Sequence, residues 1–177
     1  MITCISGGKG SGKSAFAENL MLRENKAHLP MYYLATMERA DEDAVKRIEK
    51  HRAMRAGKGF ETIEQPTNVD TCGIQKPCVV LLECVTNLVA NELFSENGCH
   101  ENVPDAVCRQ LKTLDANCDR LYVVTGDMKE EDFYDAQTTH YIRTLRETNK
   151  RVFMLAETVY EMQNGVAVKR KGTCCNK

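Results

Sequence analysis

Near the start of the chain, Gly7-Gly8-Lys9-Gly10-Ser11-Gly12-Lys13-Ser14 has the spacing G-x-x-x-x-G-K-[ST], which suits it to holding a polyphosphate. Glycines let the backbone curl so that successive N–H groups point at phosphate oxygens, and a helix starting directly after them adds its positive end. Lys13 is placed to neutralise β- and γ-phosphates and is the first catalytic candidate. The Ser14 hydroxyl is placed to coordinate Mg2+, which keeps several waters and takes few protein oxygens. All eight residues, Gly7, Gly8, Lys9, Gly10, Ser11, Gly12, Lys13 and Ser14, are therefore nucleotide-binding candidates.

Two further positions supply chemistry that such a loop lacks. Glu83 ends the continuous apolar run Val79-Val80-Leu81-Leu82, where a carboxylate can hold Mg2+ through water or take a proton from an attacking hydroxyl. It is a nucleotide-binding, metal and catalytic candidate, with a strand-end surface glutamate as the alternative. Thr86, just after it, reads as the N-cap of the next helix rather than as a metal ligand. His51 lies in Arg47-Ile48-Glu49-Lys50-His51-Arg52-Ala53-Met54-Arg55. On a helix, Arg47, His51 and Arg55 share one face while Val45 and Ile48 turn more toward the core. Neighbouring cations favour the neutral imidazole that a nucleophile needs, and guanidinium groups suit a triphosphate and its leaving group. Taken from spacing alone, a solvated basic helix face is the stronger reading of this stretch.

These residues need a scaffold, and the pattern of the chain provides one. Strand-like runs recur at Ile2–Ser6, Met31–Thr36, Phe60–Glu64, Cys78–Cys84, Leu121–Thr125, Thr158–Met162 and Val166–Lys169. Helical patterns fall over Ser11–Asn25, Asp41–Arg55, Asn87–Ser95, Pro104–Asn117 and Asp135–Leu155. Phe16, Leu20 and Met21 form a stripe on the first helix, and Ile142, Leu145 and Val152 one on the last. Asp41, Glu42 and Asp43 suit the positive end of the second helix, and Gly57 and Gly59 close it. Asn68–Lys76 and Gly98–Val103 are loop-like. The unbroken apolar run at Val79–Leu82 predicts a parallel strand buried on both faces. The expected fold is α/β: a single P-loop NTPase-like (RecA-like) domain over residues 1–177, with a mostly parallel central sheet and helices on both faces. In such sheets ligands bind at the carboxyl ends of strands, which places Thr36 near the site.

Composition narrows the partners. With 177 residues and 42% hydrophobic content, the chain supports one well-buried core. Its 24 basic and 25 acidic residues, net charge −1, provide no broad footprint for nucleic acid or an anionic membrane. No window reaches the run of about 18 apolar residues that a membrane span requires, and Met1-Ile2-Thr3-Cys4 lacks a basic signal-peptide start. A cytoplasmic location is expected. Nine cysteines, an odd number without C-x-x-C spacing, read as reduced thiols, with Cys4 and Cys84 in apolar runs acting as small hydrophobes. Cys174-Cys175 reads as part of a frayed tail, with metal or redox reactivity as the alternative.

The motifs taken in order, Gly7–Ser14, Tyr33-Leu34-Ala35-Thr36, Arg47-Ile48-x-x-His51-Arg52-x-x-Arg55, Thr62-Ile63-Glu64 and Leu81-Leu82-Glu83-Cys84-Val85-Thr86-Asn87, resemble those of the bifunctional adenosylcobinamide kinase / adenosylcobinamide-phosphate guanylyltransferase family. The match is consistent over residues 1–95, and the His-Arg-x-x-Arg motif is far more specific than the loop. Later, Asn149-Lys150-Arg151, Leu155-Ala156-Glu157-Thr158-Val159-Tyr160 and Gly165-Val166-Ala167-Val168-Lys169 match the family's last helix and closing strands more loosely. Two departures stand out. Val124-Thr125-Gly126-Asp127-Met128-Lys129 replaces the usual Val-Thr-Asn-Glu, with Asp132-Phe133-Tyr134 where Val-Pro is usual. Ala56 replaces the proline that commonly follows His-Arg-x-x-Arg. Both bear on corrinoid recognition more than on nucleotide binding.

The resemblance implies two steps: phosphorylation of adenosylcobinamide by ATP or GTP with Mg2+, then transfer of GMP from GTP through a guanylyl-histidine. His51 matches that histidine and becomes a catalytic candidate beside Lys13 and Glu83. The implied nucleotide contacts add Ala35, Thr36, Met37, Arg52, Ala53, Met54, Arg55 and Glu64. A homo-oligomer, possibly a trimer, is implied as well. Two other readings stay open on the residues: a P-loop kinase for another small hydroxylated metabolite, and a nucleotide-gated regulatory module without catalysis.

Overall fold

Each of the seven apolar runs forms a strand: β1 (Ile2–Gly7), β2 (Met31–Ala35), β3 (Phe60–Glu64), β4 (Val79–Glu83), β5 (Arg120–Gly126), β6 (Thr158–Gln163) and β7 (Val166–Lys171). Between them lie α1 (Lys13–Glu24), α2 (Glu42–Arg55), α3 (Val85–Phe94), α4 (Val103–Ala116) and α5 (Ala136–Leu155), with a short 3-10 turn at Val69–Thr71. The structure, a computed structural model, describes residues 1–38, 42–128 and 134–172, and within α2 it leaves out the side chains at 43, 44, 47, 50 and 54. The readings made for Asp41, Lys129, Asp132, Phe133 and Cys174-Cys175, and for the side chains of Asp43, Arg47 and Met54, lie outside the described residues.

The sheet order is β3-β2-β4-β5-β1-β6-β7. The first six strands run parallel, and β7 closes the edge as an antiparallel hairpin with β6. Alternation divides the core. Cys4, Leu34, Val80, Leu82, Leu121 and Val123 face α3, α4 and α5 through Leu88, Leu111 and Leu145. Ile5, Tyr33, Leu81, Tyr122 and Val124 face α1 through Ala17, Leu20 and Met21. Helices thus cover both faces, as successive side chains of a buried parallel strand require.

α2 departs from expectation. Among its described side chains only Ile48, His51 and Arg55 are covered, and Val45 is exposed rather than turned to the core. The reason is position: the covered end of α2 lies over the carboxyl ends of β2 and β4, where Ile48, His51 and Arg55 share a recess with Ala35 and Glu83. A helix perched on strand ends has a short buried stripe, even where its periodicity is continuous.

Candidate active site

The loop after β1 has the geometry its glycines allow. Gly12, the N-cap of α1, is left-handed at φ 83°, a conformation that a Cβ disfavours. A Cβ on Gly7 would come within 2.7 Å of Ser11 Oγ and 2.9 Å of Met162 Cβ, so only glycine lets the loop leave β1 beside β6. Lys13 Nζ donates to Gly8 O at 3.1 Å, folding the side chain back along the loop.

The centre of the site is Glu83. Pairing of β2 with β4 places Ala35 opposite Glu83 and Tyr33 opposite Leu81. The small Ala35 leaves room for the carboxylate, and Tyr33 reaches it along the diagonal. Tyr33 donates its hydroxyl to Glu83 Oε2 at 2.6 Å, and the Ser14 hydroxyl donates to Glu83 Oε1. His51 Nδ1 lies 3.9 Å from the same Oε1, with His51 32% exposed and Glu83 11%. The three catalytic candidates separate accordingly. Glu83 joins His51 to Ser14 of the loop, while Lys13 stays on the loop itself.

Arg55 does not belong to a solvated basic face. It is 6% exposed, its guanidinium sits 3.6 Å from the Tyr33 ring centroid, and Nη2 donates to Thr62 Oγ1 at 3.4 Å. A cation over an aromatic face is held by the ring quadrupole. Burial, followed by the charge and hydrogen bond of Glu83, pushes the Tyr33 phenol well above its usual range, so Tyr33 remains a donor. Among described buried side-chain N and O atoms, those without a hydrogen-bond partner are Ser11 Oγ and Arg55 Nε. One lies in the loop and one beside His51. Unpaired buried polar atoms are rare enough to need a reason, and a bound anion would supply one for both.

The remaining candidates are spread around this centre. Arg52 pairs with Glu64 on the exposed side of α2. Ala35 and Met37 line a recess of about 50 Å³ with Ile48, His51, Arg55 and Glu83. Ala53 faces solvent. Thr36, expected at the ligand, is fully buried. Its hydroxyl donates to Cys84 O at 2.9 Å and accepts from Cys84 N–H at 2.7 Å, so it holds the exit of β4 rather than facing the site. Thr86 is also corrected. Cys84 is the N-cap of α3, and Thr86 Oγ1 accepts from Gly126 N–H at 2.8 Å, tying α3 to the end of β5.

Reading by spacing missed Tyr33 and Asn87, both beside Glu83 in the recess. The signal for Tyr33 was its place two residues before the end of a parallel strand adjacent to that of Glu83. The face a tyrosine takes depends on register, which no local pattern states.

Comparison with known proteins adds independent findings. A model of the cobinamide kinase / cobinamide phosphate guanyltransferase family matches residues 3–170. The bifunctional adenosylcobalamin biosynthesis protein CobU of Escherichia coli (strain K12) is 28% identical over 186 aligned positions, covering 97% of this chain and all of that protein. The protein of the same name from Salmonella typhimurium (strain LT2) is 27% identical over 188 positions, again covering 97% and 100%. Among solved structures, an ATPase domain superposes with a TM-score of 0.53 at 11% identity, over 97% of this chain and 76% of that one. That likeness concerns the fold alone, which is the expected RecA-like P-loop NTPase fold.

Proposed function

Because the chain belongs to the cobinamide kinase / cobinamide phosphate guanyltransferase family, we propose that it phosphorylates adenosylcobinamide with ATP or GTP and then guanylylates the product at one composite site centred on Glu83. The observation that carries this is the sharing of a single carboxylate: Glu83 accepts from Ser14 of the phosphate loop and lies 3.9 Å from His51 Nδ1. A switch module needs the loop and its acid, but has no use for an imidazole held against that acid.

In the first step the acceptor hydroxyl attacks the γ-phosphorus, the bond to the β,γ-bridging oxygen breaks, the nucleoside diphosphate leaves, and Glu83 takes the hydroxyl proton. Lys13 and the loop amides offset charge on the transferring group. The Ser14 hydroxyl and the Glu83 carboxylate make a two-oxygen set that suits Mg2+ with most of its waters retained, and bound there the ion would neutralise phosphate charge. In the second step His51 Nε2 attacks the α-phosphorus of GTP, and pyrophosphate leaves. Nδ1–H faces Glu83, which steadies the imidazolium that forms. A phosphate oxygen of the acceptor then attacks the same phosphorus, the P–N bond breaks, and neutral imidazole returns. Arg55, with its unpaired Nε, and Arg52 supply cationic groups to a triphosphate in this position.

The test uses GTP labelled on the α- or γ-phosphate, with Mg2+ and no acceptor. An acid-labile protein adduct should carry only the α label and be absent in His51→Ala. If wild-type protein forms no such adduct, the guanylyl half of the reading fails. The kinase half is measured separately, as transfer of γ label to adenosylcobinamide.

A further inference from the structure

A cleft of about 790 Å³ lies between α5 and the β6–β7 hairpin, on the face of the sheet that α5 covers, whereas His51 and Glu83 meet on the α1 side. Its edge is the loop itself, at Gly7 and Gly8, and the end of β5 at Gly126 and Asp127. Gly7 and Gly126 are register partners, so loop and cleft meet at the carboxyl edge of the sheet. The wall of α5 is a single stripe, Arg146, Asn149, Lys150 and Phe153, at i, i+3, i+4 and i+7. Asn149 is committed to the framework: Nδ2 donates to Gly126 O at 2.9 Å, and Oδ1 accepts from Thr125 Oγ1 at 2.6 Å.

The chemistry of this cleft is that of an amphipathic anion site. Phe153 and Val159 are its apolar lining on the α5 face, Met162 reaches its edge from the α1 face, and the charged lining is Arg146, Lys150, Arg170 and Lys171 against Asp127 and Glu161. Arg170 is paired with Glu161 at 2.7 Å, and Lys171 closes the end of α5 through the carbonyls of Phe153 and Met154. Arg146 and Lys150, both exposed, are the charged side chains of the α5 wall, and both are cationic. The volume lies within the range of small-molecule sites, about 300–1,000 Å³.

We propose that this cleft is the acceptor site, receiving the phosphate-bearing arm and adjoining apolar surface of the molecule to be guanylylated, while the nucleotide occupies the Ser14, Glu83 and His51 side. The inference rests on the function proposed above. Its physical basis is in-line transfer, in which attacking and leaving groups lie on opposite sides of phosphorus. Substrates reaching the sheet edge from opposite faces satisfy that requirement. The carboxyl edge of an open α/β sheet is also where ligands from both faces can meet.

The test compares wild type with Lys150→Glu and Arg146→Glu, reading binding of cobinamide phosphate by ultrafiltration and, separately, α-label incorporation from GTP without acceptor. Each variant should weaken cobinamide phosphate binding by about tenfold or more, with self-guanylylation within about twofold of wild type. Unchanged acceptor binding in both folded variants overturns the proposal, as does wild type that self-guanylylates but binds no cobinamide phosphate. Equal loss of self-guanylylation and acceptor binding assigns the cleft to the nucleotide and also overturns it. Altered mass by light scattering with intact acceptor binding assigns the cleft to a second copy of the chain, with the same consequence. Absence of self-guanylylation in wild type counts against the function proposed above, while the binding arm still decides the cleft.

Discussion

A single carboxylate in contact with two hydroxyls and an imidazole is the main chemical feature of the molecule. Ser14, Tyr33 and His51 reach Glu83 from α1, β2 and α2, so its orientation is set by three elements at once. Tyr33 acts through Glu83 and is a positioning residue. Tyr33→Phe keeps the ring beneath Arg55 and deletes only the O–H donor. A hydrogen bond to a charged group contributes about 1.5–3 kcal/mol, which is about tenfold or more in rate. The expected result is a self-guanylylation rate constant reduced by about tenfold, little change in the GTP concentration for half-maximal rate, and a melting temperature lowered by no more than the lost hydrogen bond accounts for. A loss of stability with the rate constant unchanged would instead make Tyr33 a packing residue.

At the scale of elements, the two segments that read as loops share one anchor. Glu92 of α3 is fully buried. It accepts from Asn68 N–H at 2.8 Å, from Gln110 Nε2 of α4 at 2.8 Å and from Cys99 N–H at 2.9 Å. The loops around residues 68 and 99 are therefore pinned to α3 and α4 through a side chain within a helix, far along the chain from the first of them. Glu92→Ala strands one buried and two part-buried donors at about 1–3 kcal/mol each. It should lower the midpoint of urea unfolding by an amount equivalent to about 3 kcal/mol or more, while any protein that stays folded retains GTP labelling. Glu18 plays a related part in α1: 1% exposed, it meets Lys58 Nζ at 2.6 Å, joining α1 to the turn that follows α2.

For the whole molecule, the buried thiols and phenols set an alkaline limit. Burial pushes the thiols of Cys4 and Cys118 up to about 12, whereas exposed thiols ionise near 8.5. A raised folded pKa gives a contribution that is complete below the unfolded value and lost as pH rises through the folded one. Stability should therefore fall from about pH 9 upward, by about 1.4 kcal/mol per pH unit for each thiol. Above pH 10 the buried Tyr33 and Tyr122, whose pKa values are also raised by burial, add to the loss. Urea midpoints measured from pH 8 to 10 check this, and a Cys4→Ala, Cys118→Ala protein should show a flatter profile over that range. The same burial keeps both thiols protonated at neutral pH, in accord with reading Cys4 as a small hydrophobe.

The phosphate loop, the seven strands and the helices between them were legible in the sequence because each is written in local terms: glycine spacing, apolar runs and periodicity. Glu83 was legible for the same reason, as an acid ending a buried run. The role of Tyr33, the burial of Arg55, the inward turn of Thr36 and the bond from Gly126 to Thr86 were not. Each depends on which strand lies beside which and in what register, and β2 meets β4 across more than forty intervening residues. Spacing put His51 on a helix and favoured a solvated basic face for it, and only the family resemblance made it a catalytic candidate; tertiary packing set that helix over the strand ends and brought the imidazole to within 4 Å of Glu83. Local spacing places residues along one element, whereas a shared carboxylate requires several elements to converge, and that convergence is decided by burial of the sheet they all rest on.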